Sequence, residues 1–530
     1  MKLIKPIYIS ALLMLALTSC NTAKAPMIST NTANIDKMPI KTTPLKDEVL
    51  KRWSDLDLAK DTVPGMSVDK AYAEFLKGKK ATPIIVGVID SGLDIDHEDL
   101  KGKIWTNKKE IPGNNKDDDG NGYIDDVHGW NFLGEGTNEN LELTRIVKKG
   151  PSAPNYATAK AEYDSKMAEL GPQKQQVDVI AKADKDIRTY LKKEVYTIDD
   201  LKAITTTDAS LGQSKKIMTS IAGQAGPGFQ DEIKSYVDYV YGQLNYNLNI
   251  DFNGRVVGDN PDNMDMKFYG NGNVKGPNVE DALHGTHVAG IIAQIRGNGL
   301  GGDGVVADNV QIMAVRAVPN GDEYDKDIAL AIRYAVDNGA KVINGSFGKD
   351  YSPNAEFVWD AIKYAASKDV LFVHAAGNDA KDVDAEPNFP TDEKNGKEIA
   401  DNLLTIGALN YEYGSNLVAT FSNFGQKNVD VFAPGVKIYA TVPNNKYLYE
   451  QGTSMASPNA AGVAALVRSY YPNLTASQVK HILMDSGTPI NTNVIVGEKK
   501  SNVPFSTTCV SGKIVNAYNA LQMAEKMSKK

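Results

Sequence analysis

The sequence predicts an α/β fold, in which a doubly wound, mostly parallel sheet is interrupted by a mainly helical insertion. Three observations favour it. Short apolar strands alternate with amphipathic helices from about residue 300 to 485, the pattern of a parallel sheet with crossover helices. The unbroken apolar run from Ile84 to Ile89 is typical of a strand covered on both faces. Residues 137–250 instead combine many Lys, Asp, Ala and Gln residues with helical patterning.

The predicted elements of the sheet region follow one another in regular alternation. Parallel sheets of this kind place their functional sites at the carboxyl ends of the strands. In chain order we predict helix 68–76, strand 84–89, strand 311–318, helix 327–337, strand 341–344, helix 356–367 and strand 370–374.

The insertion carries its own helix signals. Apolar residues recur at spacings of 4, 4, 3 and 4 from Phe229 to Leu244, so they share one helix face. Thr197 with Asp200 has the spacing of a capped helix start. We therefore expect several helices inside residues 137–250.

The composition excludes some classes of protein. Of the 530 residues, 42% are hydrophobic and 23% are charged, which permits a sizeable core and excludes global disorder. The 58 basic and 66 acidic residues give a net charge of −8, without the basic field that nucleic-acid binding needs. We therefore expect no nucleic-acid partner. The two cysteines rule out a disulfide-dense scaffold.

The N-terminus has the pattern of a bacterial lipoprotein signal. Two lysines precede an apolar run at 7–17 that is too short to span a bilayer. The run ends in Leu-Thr-Ser-Cys at Cys20, similar to the motif whose cysteine is lipidated when the signal is removed. We predict a signal peptide at 1–19, a lipid on Cys20 and a flexible tether at 20–47, which would anchor the protein to the bacterial cell envelope, facing the periplasm or the outside. The alternative is an ordinary signal with an incidental cysteine.

Four short motifs carry candidate catalytic side chains. Asp90 follows the first buried strand, and an ionised carboxylate there can orient an imidazole, although the motif alone fits a turn carboxylate equally well. His284 stands at a helix start and is the candidate general base. Ser454 begins a helix rich in small residues and can present both its hydroxyl and its own N–H. Asn378 ends a strand and offers an amide donor to an oxyanion.

A histidine three residues after the candidate base raises the question of a metal pair. The region has no neighbouring cysteine and no His-Glu-X-X-His pattern, which disfavours metal ligation by His284 and His287. We interpret His287 as a hydrogen-bonded structural residue.

These motifs, in the order Asp, His, Ser, resemble those of the subtilisin-like serine proteases, the subtilases. Other serine hydrolases carry the same groups in a different order. The resemblance covers about residues 50–136 and 251–525. It implies a subtilisin-like catalytic domain at 48–525, interrupted by 137–250, and a serine endopeptidase acting on protein or peptide substrates.

The resemblance also implies individual roles. Asp90 would orient His284, His284 would activate Ser454, and Asn378 would stabilise the oxyanion. In the family, two matching segments line the pocket for the side chain before the scissile bond. These substrate-binding candidates are Ser346, Phe347, Gly348, Ala375, Ala376 and Gly377.

The insertion is the main departure from the family pattern. Asp90 and His284 are 284 − 90 = 194 residues apart, more than is common in the family. A long surface insertion costs little closure entropy, so the triad remains plausible, but access of substrate is open. Two alternatives follow: a catalytically silent binding protein that uses the insertion, and an active enzyme whose insertion docks a partner.

An acidic segment near residue 120 has the pattern of a calcium loop. Oxygen-bearing residues alternate there, and clustered carboxylates repel one another unless a cation lies among them. The pattern is not an EF-hand, because His128 stands where that loop needs Glu. The alternative is a solvated acidic turn. For a structural calcium ion, the candidate ligands are Asp117, Asp119, Asn121, Tyr123, Asp125 and Asp126.

Overall fold

The computed structural model describes residues 44–226 and 228–529. The predicted signal peptide, Cys20 and most of the predicted tether lie outside the described residues. The helices are α1 (Asp47–Leu50), α2 (Leu58–Asp61), α3 (Val68–Lys70), α4 (Glu142–Lys149), α5 (Tyr156–Leu191), α6 (Ile198–Ala203), α7 (Ala209–Ala225), α8 (Phe229–Gly242), α9 (Leu283–Ala293), α10 (Asp325–Asp337), α11 (Ala355–Ser367), α12 (Thr453–Tyr470), α13 (Ala476–Ser486) and α14 (Ala517–Ser528).

The strands alternate with the helices in the second half of the chain. They are β1 (Ile84–Asp90), β2 (Gly129–Asn131), β3 (Val310–Arg316), β4 (Val342–Gly345), β5 (Leu371–Ala375), β6 (Glu393–Lys394), β7 (Lys397–Glu398), β8 (Leu403–Leu409), β9 (Val431–Pro434), β10 (Ile438–Val442), β11 (Lys446–Glu450), β12 (Thr488–Pro489), β13 (Asn493–Val496), β14 (Ser501–Pro504) and β15 (Lys513–Ile514).

A nine-stranded sheet in the order β12-β15-β9-β8-β5-β4-β1-β3-β2 forms the centre of the molecule. Its neighbours pair in parallel except β12 with β15. The chain winds from β1 to β3 on one side and then to β4 on the other, so β1 lies where the strand order reverses. The doubly wound, mostly parallel fold predicted from the sequence is confirmed, and β1 lies where such folds place their sites.

Apolar residues cover the sheet on both faces. Helices α9, α12, α13 and α14 share one buried cluster with β1, β3 and β8. Helices α10 and α11 share a second cluster with the opposite face of the sheet. Burial on both faces explains why strands such as β1 are apolar at successive positions.

The residues predicted as an insertion are mainly helical. Helices α4 to α8 and a π-helix, Gln243–Asn247, follow one another there, and two apolar clusters inside this region are separate from those of the sheet. Thr197 and Asp200 form the predicted capping box at the start of α6. The chain enters and leaves the insertion side by side, because the Leu141 N–H donates to the Asn247 carbonyl over 2.9 Å. The boundaries 137 and 250 stay a prediction.

None of the described helices is both long enough and apolar enough to cross a bilayer.

Candidate active site

Strand β1 carries Asp90 at its carboxyl end, in the middle of the sheet. The side chain is buried, and its Oδ1 accepts the Ser91 N–H over 2.7 Å. The same oxygen lies 2.7 Å from Nδ1 of His284. This contact holds the Nδ1–H tautomer and leaves Nε2 of the imidazole as the nitrogen that can accept a proton.

Helix α9 brings His284 to Asp90 because a glycine permits close packing. A Cβ at Gly285 would lie 2.0 Å from the Gly92 carbonyl oxygen and 3.1 Å from Cβ of Asp90. Contacts as short as 2.0 Å do not occur between real atoms of this kind, so a larger residue would push α9 away from β1. The small residue after His284 therefore sets the distance between the base and the carboxylate.

The carboxylate also changes the basicity of the imidazole. Burial lowers the pKa of His284, but the charge and the hydrogen bond of Asp90 raise it by more, so the pKa lies above its ordinary value of 6.5. The carboxyl of Glu450 adds a weaker attraction for the proton. His284 is therefore a stronger base than a solvated histidine.

Ser454 is the second residue of α12, and a buried polar network joins this helix start to the end of β4. Its Oγ donates to the Ser346 carbonyl over 3.3 Å, while Oγ of Ser346 donates to the Ser454 carbonyl over 2.8 Å. Asn344 extends the network with Nδ2, which donates to Ser346 Oγ, and with Oδ1, which accepts from Ser457 Oγ. No hydrogen bond joins Ser454 to His284 within residues 44–226 and 228–529, and Oγ bonds to the Ser346 carbonyl instead.

Asn378 lies next to the same helix start. Its Oδ1 accepts the N–H of Thr453 over 2.8 Å and the Thr453 hydroxyl over 3.1 Å. These two bonds fix the amide plane and leave Nδ2 as the atom that can donate to a ligand. The Thr453 hydroxyl also accepts the N–H of Gly377, which couples the strand end to the helix.

A cavity of about 700 Å³ opens beside the Asp90–His284 pair. Its lining includes the three predicted substrate-binding residues Ser346, Phe347 and Gly348. The other predicted segment, Ala375 to Gly377, faces this one across Asn388, whose Nδ2 donates to the Ala376 carbonyl over 3.2 Å. The Asn388 amide also lies 2.7 Å from where a Cβ of Gly348 would be. The two predicted segments thus come together, and Asn388 was missed by sequence reasoning.

Arg316 is a second residue that sequence reasoning missed. It pairs with Asp90 in the register of β1 and β3, and its guanidinium donates to the carbonyls of Ser91, Gly134 and Gly136. Burial lowers its pKa to about 10, although nearby carboxylates oppose this shift. A lone charged residue in a buried, mostly apolar strand was the available signal.

His287 lies one turn after His284 and serves a different purpose. It is fully buried, and its Nε2 lies 3.1 Å from the Ile438 carbonyl and 3.2 Å from the Leu448 carbonyl. Burial lowers its pKa to about 4, so the ring is neutral. Its hydrogen bonds to β10 and β11 agree with the structural role predicted for it.

The acidic segment places three carboxylates together. One oxygen each of Glu110, Asp117 and Asp119 lies within 4.8 Å of the others. Glu110 was not predicted from the sequence. Its Oε1 accepts the amides of Asp118 and Asp119, and its buried Oε2 has no partner among the described residues.

The predicted calcium ligands, including Asp117 and Asp119, take part in hydrogen bonds within the protein. Asp125 accepts the amides of Gly113, Asn114 and Asn115. Asp126 is fully buried and accepts from the Tyr334 hydroxyl over 2.6 Å. The amides of Asn107 and Asn121 also donate to Asp126, and Asn121 Oδ1 accepts the Tyr123 N–H.

Comparison with known proteins identifies the family. The model of the subtilase family matches residues 81–505. The thermophilic serine proteinase of Bacillus sp. (strain AK1) is 44% identical over 187 residues, which are 35% of this chain and 42% of that protein. Subtilisin DY of Bacillus licheniformis is 35% identical over 228 residues, 43% of this chain and 78% of that protein. A solved protease structure from Pseudoalteromonas arctica PAMC 21717 is 30% identical over 46% of this chain and 70% of that chain, with a TM-score of 0.37.

The family match runs through β1, α9 and the start of α12, the three elements that carry Asp90, His284 and Ser454. Sequence likeness and site geometry therefore concern the same part of the molecule. The chain belongs to the subtilase family, a family of serine-type endopeptidases.

Proposed function

We propose that this protein is a serine endopeptidase in which Ser454 attacks the scissile carbonyl and His284 takes its proton. The observation that carries the proposal is the 2.7 Å contact between Asp90 and Nδ1 of His284, next to the helix that begins with Ser454. Asp90 keeps Nε2 free to accept the hydroxyl proton and stabilises the imidazolium that forms. His284 then protonates the leaving amine, and water releases the acyl group from Ser454.

The tetrahedral oxyanion needs donors that are in place before the reaction. Nδ2 of Asn378 and the N–H of Ser454 are the two groups available at the start of α12. Donors that are already oriented stabilise the developing charge without reorganisation, and one such donor contributes about 3 kcal/mol in a related protease. We assign the oxyanion site to these two groups and substrate binding to the segments Ser346–Gly348 and Ala375–Gly377.

A covalent probe tests the nucleophile. The purified chain should react with a fluorophosphonate and hydrolyse a peptide library, while Ser454→Ala should lose both activities and keep its melting temperature. Ser165→Ala, a change on the exposed surface of α5, is the matched control and should behave as the unmodified chain. Labelling of the Ser454→Ala variant to the original extent would refute the assignment.

We further propose that the acidic loop binds a structural calcium ion. The unpartnered, buried Oε2 of Glu110 beside two further carboxylates fits a hard cation with oxygen ligands. Glu110, Asp117 and Asp119 would hold the ion, whose charge would offset the repulsion among them. A chelator should lower the melting temperature of the unmodified chain but not that of Glu110→Gln; equal losses would contradict the site.

The proposed place of the protein is the cell envelope. The N-terminal pattern supports cleavage after residue 19, a lipid on Cys20 and a tether that ends near residue 47. Metabolic labelling with an alkyne fatty acid should mark the full chain and not Cys20→Ser. A labelled Cys20→Ser variant would place the lipid elsewhere.

A further inference from the structure

The cleft beside His284 has an acidic wall. Asp281 and Glu323 both line the cavity of about 700 Å³. Glu450 lies at the end of β11, close enough to His284 for their charges to interact. None of these three carboxyls has a part in the proposed chemistry.

Glu323 is the most unusual of the three because it is nearly buried. Only 3% of the residue is exposed, and it precedes α10 in a loop that borders the cavity. No side chain in the described part of the molecule donates a hydrogen bond to its carboxylate. Burial raises the pKa of this carboxyl to about 7, although the charge of Lys349 opposes the shift.

The cation nearest to Glu323 is already bound by other oxygens. Lys349 Nζ lies 2.9 Å from Glu142 Oε2, 2.9 Å from Asp325 Oδ1 and 2.8 Å from the Glu323 carbonyl. Arg145 also donates to that carbonyl, over 3.1 Å. These bonds fix the backbone of the loop. Among the described residues, no Lys, Arg or His nitrogen forms an ion pair with the Glu323 carboxylate within 4.0 Å, although the charge of Lys349 acts on it from farther away.

Arg316, in the wall of the cavity, does not form an ion pair with the Glu323 carboxylate either. Arg316 donates to three carbonyl oxygens and to Oδ1 of Asn131, so four of its five N–H groups are engaged. Apart from His284 and Arg316, the side chains that line the cavity include no cationic residue. Within the described residues, the donor to this carboxylate is the backbone N–H of Glu323 itself. A buried carboxylate with a single donor gains more from a cationic ligand than a solvated one does.

We propose that this cleft selects substrates with a Lys or Arg side chain close to the scissile bond, and that Glu323 is the specificity-determining carboxylate that binds it. The inference rests on the proposed peptidase function and specifies its substrate class. Asp281, which is exposed at the same cavity, adds attraction for cationic peptides as they approach.

Peptides that differ in a single charge test the proposal. In a library with Lys or norleucine at each of the four residues on either side of the scissile bond, one position should favour Lys by about tenfold in kcat/KM. Glu323→Gln should bring that ratio close to one, and Glu323→Asp should restore part of it. Glu194→Gln, on the exposed surface of the insertion, is the matched control and should keep the full ratio. Equal rates for both peptides at every position, or an undiminished ratio in Glu323→Gln, would overturn the proposal.

Two further measurements separate this inference from the peptidase proposal. Ser454→Ala should bind a fluorescent Lys peptide more tightly than its norleucine twin even if no variant hydrolyses peptides, whereas equal affinities would overturn the selectivity alone. If Glu323→Gln does not fold, the unmodified chain provides the test. Its Lys-to-norleucine ratio of kcat/KM should rise between about pH 6 and pH 8, because the Glu323 carboxyl ionises over this range. Titration of His284 cancels in this ratio, and a flat ratio would contradict the proposal. The charged groups that face Glu323 are Asp322, Asp325, Lys349, Arg145 and Glu142.

Discussion

At the scale of single residues, the contact between Asp90 and His284 sets both the orientation and the basicity of the imidazole. The hydrogen bond holds Nδ1 as the donor, and the negative charge raises the pKa of the ring. Both effects favour the proton transfer to Nε2 that we propose for the Ser454 hydroxyl. The activity should therefore be lost on the acid side, as pH falls through a pKa above 6.5.

Replacing the carboxylate separates these effects. We expect Asp90→Asn to lower kcat on the order of 10⁴-fold, because the amide can stabilise the wrong tautomer. The acid limb of kcat/KM should move to lower pH, since the charge that raises the pKa of His284 is gone. A pH–rate profile measures both changes, with Asp164→Asn on the exposed surface of α5 as the control. An unshifted acid limb would show that Asp90 does not control the base.

Local sequence predicted some residues of the site and not others. The candidates Asp90, His284, Ser454 and Asn378 could be proposed from the sequence because each stands in a short motif near the start or end of an element. Residues such as Glu110, Arg316 and Glu323 were missed, since distant backbone or neighbouring loops bring them into place and no local pattern marks them. The sequence also did not show that the predicted ligand Asp125 accepts the amides of Gly113 and Asn115, because the fold of the loop brings these groups together.

At the scale of elements, the site depends on how closely α9 approaches β1. Apolar patterning placed the strands and helices of the sheet region to within about two residues. It could not show that the predicted helix 68–76 continues from α3 as a π-helix, Ala71–Phe75, because that change depends on packing. The contact between α9 and the turn after β1 likewise depends on tertiary structure.

Enlarging one glycine tests that contact. Gly285→Ala should lower the free energy of unfolding by about 1–3 kcal/mol, because its Cβ would overlap the Gly92 carbonyl. We also expect kcat to fall by about 10²-fold as His284 moves from Asp90. Gly212→Ala in α7 has open space around the added atom and should be stabilising by up to about 1 kcal/mol. Denaturant unfolding and kinetics measure both variants; an active, stable Gly285→Ala would contradict the argument.

At the scale of the whole molecule, buried charged residues join α4 of the insertion to the part of the chain that forms the nine-stranded sheet, called the body below. Glu142 and Arg145 of α4 bond to each other over 2.6 Å, and Lys349 of the body bonds to Glu142 over 2.9 Å. Burial alone would raise the pKa of Glu142, but Arg145 and Lys349 lower it to about 2. The network therefore stabilises the fold above pH 4.5, and this contribution is lost as pH falls towards 2.

Removing the charge of Lys349 should lower the free energy of unfolding. Lys349→Met leaves the buried carboxylate of Asp325 without its cation and that of Glu142 with Arg145 alone, and we expect a loss of about 3–5 kcal/mol in the free energy of unfolding. Lys381→Met removes a partly exposed ion pair with Asp350 and should cost less than about 1 kcal/mol. Chemical denaturation of both variants at neutral pH provides the comparison. Similar losses would mean that the buried network contributes no more than a surface pair.

The adjacent ends of the insertion make this enzyme suitable for modular exchange. Leu141 and Asn247 are hydrogen-bonded neighbours, so the residues between them leave and rejoin the sheet region at one place, whatever their number. A fluorescent reporter or an affinity module with similarly spaced termini could replace the residues that follow α4. Helix α4 itself should be kept, because its Arg145 bonds to the loop at Glu323. The same junction would allow natural variants to exchange accessory modules without rebuilding the hydrolytic centre.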